Sequence, residues 1–130
     1  MRAFVIEDDP DCRNALAAVL ESVGWRVDLA EDGIAALGCI RRCIPDLITL
    51  DLALPNLGGF QVLKLLRSTE IGRRIPVIVI TGVTADASVR ELASLVLVKP
   101  VEASGMLDAI RAVTDVSAER PSAHLNCASC

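Results

Sequence analysis

The sequence predicts an α/β domain, a doubly wound five-stranded parallel sheet with helices on both faces. Three observations carry that prediction. Five short apolar runs alternate with amphipathic stretches along the whole chain, the pattern of repeated strand–helix units. The composition is 52% hydrophobic but only 2% aromatic, with no tyrosine, so the core must be built from Val, Leu, Ile and Ala, as buried parallel strands are. Ionisable or hydroxyl residues also stand where four of the five runs end, the edge at which open parallel sheets bind ligands.

The elements follow in order. Ala3 to Ile6 is a short buried strand ending in Glu7-Asp8-Asp9-Pro10. Asp9 before Pro10 suits a helix N-cap. The helix that follows carries Ala15, Leu16, Val19, Leu20 and Val23 on one face and stops at Gly24. Trp25 to Ala30 alternates as a second strand. Asp32-Gly33 opens a helix with Ile34, Leu37 and Ile40, ended before Pro45. Leu47 to Leu50 is a third strand that runs into Asp51, and Pro55-Asn56-Leu57-Gly58-Gly59 is a loop. Phe60, Val62, Leu63 and Leu66 mark a third helix. Pro76 to Ile80 is the most apolar strand, followed by a short helical piece around Asp86 to Leu92. Leu95 to Val98 is the fifth strand, ending at Lys99-Pro100, and Met106, Leu107, Ile110 and Val113 mark the last helix. From about Asp115 the pattern is lost. The reading is therefore one domain over residues 1–115 and a disordered tail over 116–130. Each apolar face has a core to cover, so no surplus stripe advertises a partner.

A chain of 130 residues suits one domain. Its formal charge of −4 argues against the broad basic footprint of a nucleic-acid binder. No apolar run reaches the length of a membrane span, and the N-terminus turns acidic after three apolar residues, unlike a signal peptide. A cytoplasmic location without membrane contact is the expectation. Cys12, Cys39 and Cys43 fall in helical patterns and read as small reduced hydrophobes. Cys127 and Cys130, with His124 nearby, form one Cys-x-x-Cys pair without the further ligands of a structural zinc site.

The chemistry gathers at the strand ends. Glu7, Asp8 and Asp9 follow the first strand, Asp51 the third, Thr81 the fourth and Lys99 the fifth. In a parallel sheet these ends share one edge, so several carboxylates, a hydroxyl and an ammonium converge. Clustered carboxylates repel, which a hard divalent ion relieves, and Mg²⁺ is the usual partner at phosphoryl-transfer sites. A lysine and a hydroxyl facing that ion suit a phosphoryl group. Each residue alone has an ordinary structural reading, as turn former, cap or strand end. Their joint placement at four successive strand ends favours the chemical one.

Four ordered segments then resemble the receiver domain of two-component response regulators, of the single-domain, chemotaxis-receiver type. They are Phe4–Arg13, Pro45–Pro55 with Gly58-Gly59-Phe60, Val77–Gly82 and Leu97–Pro100. The resemblance covers about residues 2–114 and implies a flavodoxin-like fold. It further implies that Asp51 is the phosphoacceptor, phosphorylated by a sensor histidine kinase or a histidine phosphotransfer protein. Glu7, Asp8, Asp51 and the Ala53 carbonyl would hold Mg²⁺, Thr81 would be the switch hydroxyl and Lys99 the lysine that pairs with the phosphoryl group. Lys99-Pro100 would be a cis peptide. Such a chain is a signalling switch rather than an enzyme, catalysing only its own phosphorylation and dephosphorylation, with an unidentified downstream protein as target.

Three departures from the family pattern stand out. The interval from Thr81 to Lys99 is about four residues short, which removes roughly one turn of the fourth helix. The expected aromatic three positions before the lysine is Val96, so the usual relay from phosphate to surface is altered. Ala53 and Val83 occupy two positions that tune hydrolysis, and neither side chain can orient a water. Two other classes compete with the switch. One is a scaffold that keeps the fold and switches little. The other is a phosphatase using an aspartyl-phosphate, for which the chain has no room for a substrate cap.

Overall fold

The computed structural model describes residues 1–82 and 85–117, with side chains to Thr114. Eleven elements follow in sequence: β1 (Arg2–Ile6), α1 (Pro10–Ser22), β2 (Arg26–Ala30), α2 (Gly33–Arg42), β3 (Leu47–Asp51), α3 (Gly59–Arg67), α4 (Glu70–Arg74), β4 (Val77–Thr81), α5 (Ala87–Leu92), β5 (Leu95–Val98) and α6 (Ala103–Ser117). The strands form one sheet in the order β2-β1-β3-β4-β5, and every pairing is parallel. This is the doubly wound parallel sheet predicted from the alternation, in the flavodoxin-like form that the family resemblance implied.

Strand parity sorts the core into two layers. Phe4, Ile6, Ile48, Leu50, Val77 and Val79 face α2, α3 and α5, where Ala36, Ile40, Val62, Leu63 and Val89 meet them. Ala3, Val5, Leu47, Ile78 and Ile80 face α1 and α6 and pack on Leu16, Leu20, Met106 and Ile110. β3 and β4 are buried along their whole length, which explains why they read as unbroken apolar runs.

The caps explain the boundaries. Asp9 accepts a hydrogen bond from the Asp11 N–H at the start of α1, and Gly24 takes φ +92° just after its end, a conformation that costs glycine little. Asp32 and Asp86 cap α2 and α5 through the N–H groups of Ala35 and Val89.

The structure differs from the sequence reading in several places. α4 is an additional single-turn helix, capped by Thr69, whose hydroxyl accepts from the Gly72 N–H at 2.9 Å. Five residues are too few to display a helical period. α3 starts at Gly59, a residue read as loop, and α6 continues to Ser117, past the expected domain end at 115. β4 begins at Val77 rather than Pro76, since proline offers no N–H to the ladder. α5 spans six residues, consistent with the shortened fourth helix inferred from the Thr81–Lys99 interval. Val83 and the expected tail from residue 118 onward, with His124, Cys127 and Cys130, lie outside the described residues. Among the described residues no helix is long and apolar enough to cross a membrane.

Two polar features of the interior follow from this packing. Arg67, at the end of α3, donates to the carbonyls of Gly72, Ile75 and Leu92 at 2.6, 2.7 and 2.8 Å. It ties α3, α4 and the end of α5 together. The hydroxyl of Thr49, 1% exposed in the middle of β3, has no hydrogen-bond partner. An orphaned buried hydroxyl is costly, so Thr49→Val is expected to stabilise the fold by about 1 kcal/mol. A chemical-denaturation midpoint equal to or below that of the parent would contradict this.

Candidate phosphoacceptor crevice

The order β2-β1-β3 means that the chain leaves β1 towards one side of the sheet and β3 towards the other. A crevice opens between the C-terminal ends of these two strands. Glu7 follows β1 and Asp51 closes β3, so both border it. Glu7, Asp51 and Lys99 continue the strand parity of Val5, Thr49 and Leu97, which brings all three to the α1/α6 side of the sheet. Thr81 continues the parity of Val77 and Val79 and stands across from them at the end of β4.

The side chains realise this placement. The Lys99 ammonium donates to Glu7 Oε1 at 2.8 Å and to Asp51 Oδ2 at 3.2 Å. Asp51 Oδ1 accepts from the Ala53 N–H at 3.1 Å, so the carboxylate is fixed at both oxygens. Glu7 Oε2 accepts from the Asp9 N–H at 3.2 Å. Glu7 is 1% and Asp51 5% exposed, against 28% for the Lys99 side chain. The lysine is thus the lid over two buried carboxylates. The Lys99 N–H also donates to the Thr81 carbonyl at 2.7 Å, and the Lys99–Pro100 peptide is cis, as the family resemblance implied.

Burial and crowding perturb the charges. Desolvation pushes the Glu7 carboxyl above its usual 4.5; Lys99 pulls it down, but neighbouring Asp51 adds to the upward shift. Burial works against the Lys99 ammonium, yet Glu7 and Asp51 outweigh it and hold the amine above its ordinary range. Lys99 therefore stays charged, and one cation serves two carboxylates.

A second cation would complete the balance, and the donors suit one. Glu7, Asp8 and Asp51 each offer a carboxylate oxygen, all within 4.8 Å of one another. Asp8 is the exposed member, open to a hydrated ion. An all-oxygen, carboxylate-rich donor set fits Mg²⁺, which keeps several waters and takes one or two carboxylates.

Three contributors to this crevice were not singled out in the sequence. The Cys12 thiol, read as a small hydrophobe, hydrogen-bonds Glu7, and burial together with that carboxylate pushes it up to about 11. Arg13 donates to the Glu7 carbonyl at 3.1 Å and pins the turn after β1. Gly59 lies so close to β3 that a Cβ there would sit 2.1 Å from the Asp51 carbonyl oxygen and 2.6 Å from Leu52 Cα. The helical spacing of Cys12 and Arg13 behind the acidic turn was the available signal for the first two. For Gly59 only the Gly-Gly pair hinted at a close approach.

Fold and crevice together define an α/β module with a lysine-braced acidic site at the C-terminal edge of its parallel sheet. The chain belongs to the response regulator receiver domain family, whose model matches residues 3–111. It is similar to the response regulator MprA of Mycobacterium avium (strain 104), 40% identical over 82 residues, 63% of this chain and 35% of that protein. MprA of Mycobacterium leprae (strain TN) matches at 39% over the same length. The matched segment thus spans about a third of these curated relatives. Among solved structures, the receiver domain of sensor histidine kinase PA1611 from Pseudomonas aeruginosa PAO1, with a magnesium ion in its active-site cleft, is 30% identical. It covers 88% of this chain and 97% of that one, with a TM-score of 0.78. The chemotaxis protein CheY4 of Vibrio cholerae shares the fold with a TM-score of 0.80 at 24% identity, over 86% of this chain and 97% of that one.

Proposed function

We propose that Asp51 accepts a phosphoryl group from a phosphohistidine on a sensor histidine kinase or histidine phosphotransfer protein, with Mg²⁺ bound, and that this switches contact with a downstream protein. The Lys99 ammonium bridging Glu7 and Asp51 at 2.8 and 3.2 Å is the observation that supports this reading best. A carboxylate oxygen of Asp51 attacks phosphorus; the O–P bond forms, the P–N bond breaks, and the imidazole leaves with the electron pair. On this reading Lys99 would shift from Asp51 to the new phosphoryl oxygens, and Thr81 would donate its hydroxyl to one of them. Glu7, Asp8, Asp51 and the Ala53 carbonyl would hold Mg²⁺. Bound there, the ion would offset negative charge on the transferring oxygens.

The surroundings agree with a protein donor. A cleft of about 660 Å³ adjoins Lys99 between α1 and the turn into α6, lined by Ala15, Val19, Pro100 and Met106 among others. It offers a partner an apolar seat beside Lys99. Val96 is partly buried against the α2/α3/α5 layer, and with the short α5 it favours a weakened relay to the β5 surface. These two departures, Val96 and the short α5, are the features in favour of a scaffold that switches little.

Incubation with Mg²⁺ and acetyl phosphate, followed by intact mass, tests the reading. A gain of one phosphoryl group, abolished by chelator, is expected. Failure both to gain mass and to bind Mg²⁺ would sink it. Ala53 lacks a side chain able to orient an attacking water, so the adduct is expected to be long-lived once donor is removed. Prompt loss of the added mass from isolated, folded protein would contradict that expectation.

A further inference from the structure

The edge of the sheet opposite Asp51 carries a concave, cationic feature. Arg73 and Arg74 close α4 just before β4, and Ser94 stands just before β5. With Pro76, Ala112 and Val113 they line a cavity of about 340 Å³ between the starts of these strands and the second half of α6. That volume falls at the lower end of the range for small-molecule sites.

Arginines in a last helical turn ordinarily offset the helix dipole and the free carbonyls there. At the end of α4 that role is filled from outside the helix, because Arg67 donates to the Gly72 and Ile75 carbonyls at 2.6 and 2.7 Å. Arg74 is engaged by Glu70, the one carboxylate of α4, at 3.1 Å. The Arg73 guanidinium has no carboxylate partner among the described residues. The end of α4 therefore gathers three guanidiniums against one carboxylate, and the surplus borders the cavity.

Ser94 adds a directed donor. Its hydroxyl oxygen accepts from the Val77 N–H at 3.0 Å and from Arg67 Nη2 at 3.5 Å. A serine oxygen has two lone pairs and one proton; with both lone pairs engaged, the proton is what the hydroxyl has left to give. The polar side chains lining the cavity are thus all donors, two guanidinium forks and a hydroxyl, with no carboxylate among them. Such a set fits an oxyanion, and the planar fork of arginine matches phosphate oxygens in pairs. A phosphoryl group presents three acceptor oxygens to these three side chains, where a carboxylate presents two. The apolar remainder of the wall suits an organic body on the phosphate.

We propose that this cavity binds a phosphomonoester, its phosphoryl oxygens held by Arg73, Arg74 and Ser94 and its organic body resting on Pro76, Ala112 and Val113. The site shares no residue with the acidic crevice and does not depend on the phosphoacceptor reading.

Phenyl phosphate is the probe, titrated in the presence of chelator into the full, isotope-labelled chain while backbone amide shifts are followed by NMR. Saturable shifts are expected at Val77, Ser94 and Val113, with Ala53 and Lys99 unmoved. Affinity should fall by about tenfold or more in Arg73→Ala, the loss of one charge-assisted contact. Arg73→Lys should recover only part of it, since it restores the charge but not the fork. Arg73 is exposed, and a spectrum unchanged away from the cavity checks that both variants fold. Inorganic phosphate and benzoate, titrated separately, should each bind more weakly than phenyl phosphate. Shifts that gather at Ala53 and Lys99 would place the anion in the crevice and overturn the proposal. So would the absence of saturable shifts, or an affinity unchanged in Arg73→Ala. Benzoate binding as tightly would overturn the preference for phosphate, and inorganic phosphate binding as tightly would overturn the role of the apolar wall.

Discussion

Replacing Lys99 by alanine is expected to slow phosphoryl acceptance at Asp51 by roughly two to three orders of magnitude, the usual cost of losing one preorganised electrostatic contact to a developing charge. The same change removes the single cation between Glu7, 1% exposed, and Asp51, 5% exposed. Two buried carboxylates then face each other unneutralised. Breaking a fully buried pair costs several kcal/mol; with the ammonium 28% exposed and screened by water, about 2 kcal/mol is expected here. Divalent ion should recover much of it, so Mg²⁺ should raise the melting temperature of Lys99→Ala more than that of the parent.

Acid should act in the same direction. Glu7 is already held above its usual 4.5 in the folded chain, and loss of Lys99 raises it further. Between 4.5 and that raised value the folded state binds a proton that the unfolded state does not, so stability falls as pH rises through the window. In chelator, the gap between variant and parent should therefore narrow as pH is lowered from neutrality towards 5. A gap that ignores both Mg²⁺ and pH would show that Lys99 does not serve as the counter-charge to these carboxylates.

Gly59→Ala is expected to damage both stability and the crevice. The added methyl would lie 2.1 Å from the Asp51 carbonyl oxygen and 2.6 Å from Leu52 Cα, both backbone atoms that no rotamer change can move aside. The start of α3 must shift away from β3, at a cost of about 3 kcal/mol, the upper part of the range for overpacking. The shift acts on Asp51, the proposed phosphoacceptor. A displacement of about 1 Å at a reacting group costs on the order of 100-fold in rate, so phosphorylation of the folded fraction should fall as well. Thermal unfolding and acetyl phosphate kinetics on the same sample separate the two effects. Parent-like stability would contradict the close approach.

How much of this was legible in the sequence depends on the length scale of each signal. The five strands and the main helices were, because Leu47–Leu50 or Leu16–Leu20 repeat a period over several residues. The crevice was legible because a parallel sheet places the residues after Ile6, Leu50, Ile80 and Val98 on one edge, whatever the loops do. α4 was not, since a single turn set by the Thr69 cap shows no period. The staple made by Arg67 was not, because three of its acceptors are backbone carbonyls brought together only by packing. Nor was the orphaned Thr49 hydroxyl, which within an apolar run reads simply as a β-branched strand residue. Cys12 was read for its volume, and its hydrogen bond to Glu7 emerges only when α1 folds back over the end of β1.

The central claim is that Asp51 is the phosphoacceptor, and the most direct test is to locate the added mass. The parent and Asp51→Asn are treated with Mg²⁺ and acetyl phosphate, and the acyl phosphate is mapped to a peptide. One phosphoryl group on the peptide containing Asp51, absent from Asp51→Asn at equal folded concentration, is the predicted result. An adduct that persists in Asp51→Asn, or that maps to Asp8 or Glu7 in the parent, would contradict it.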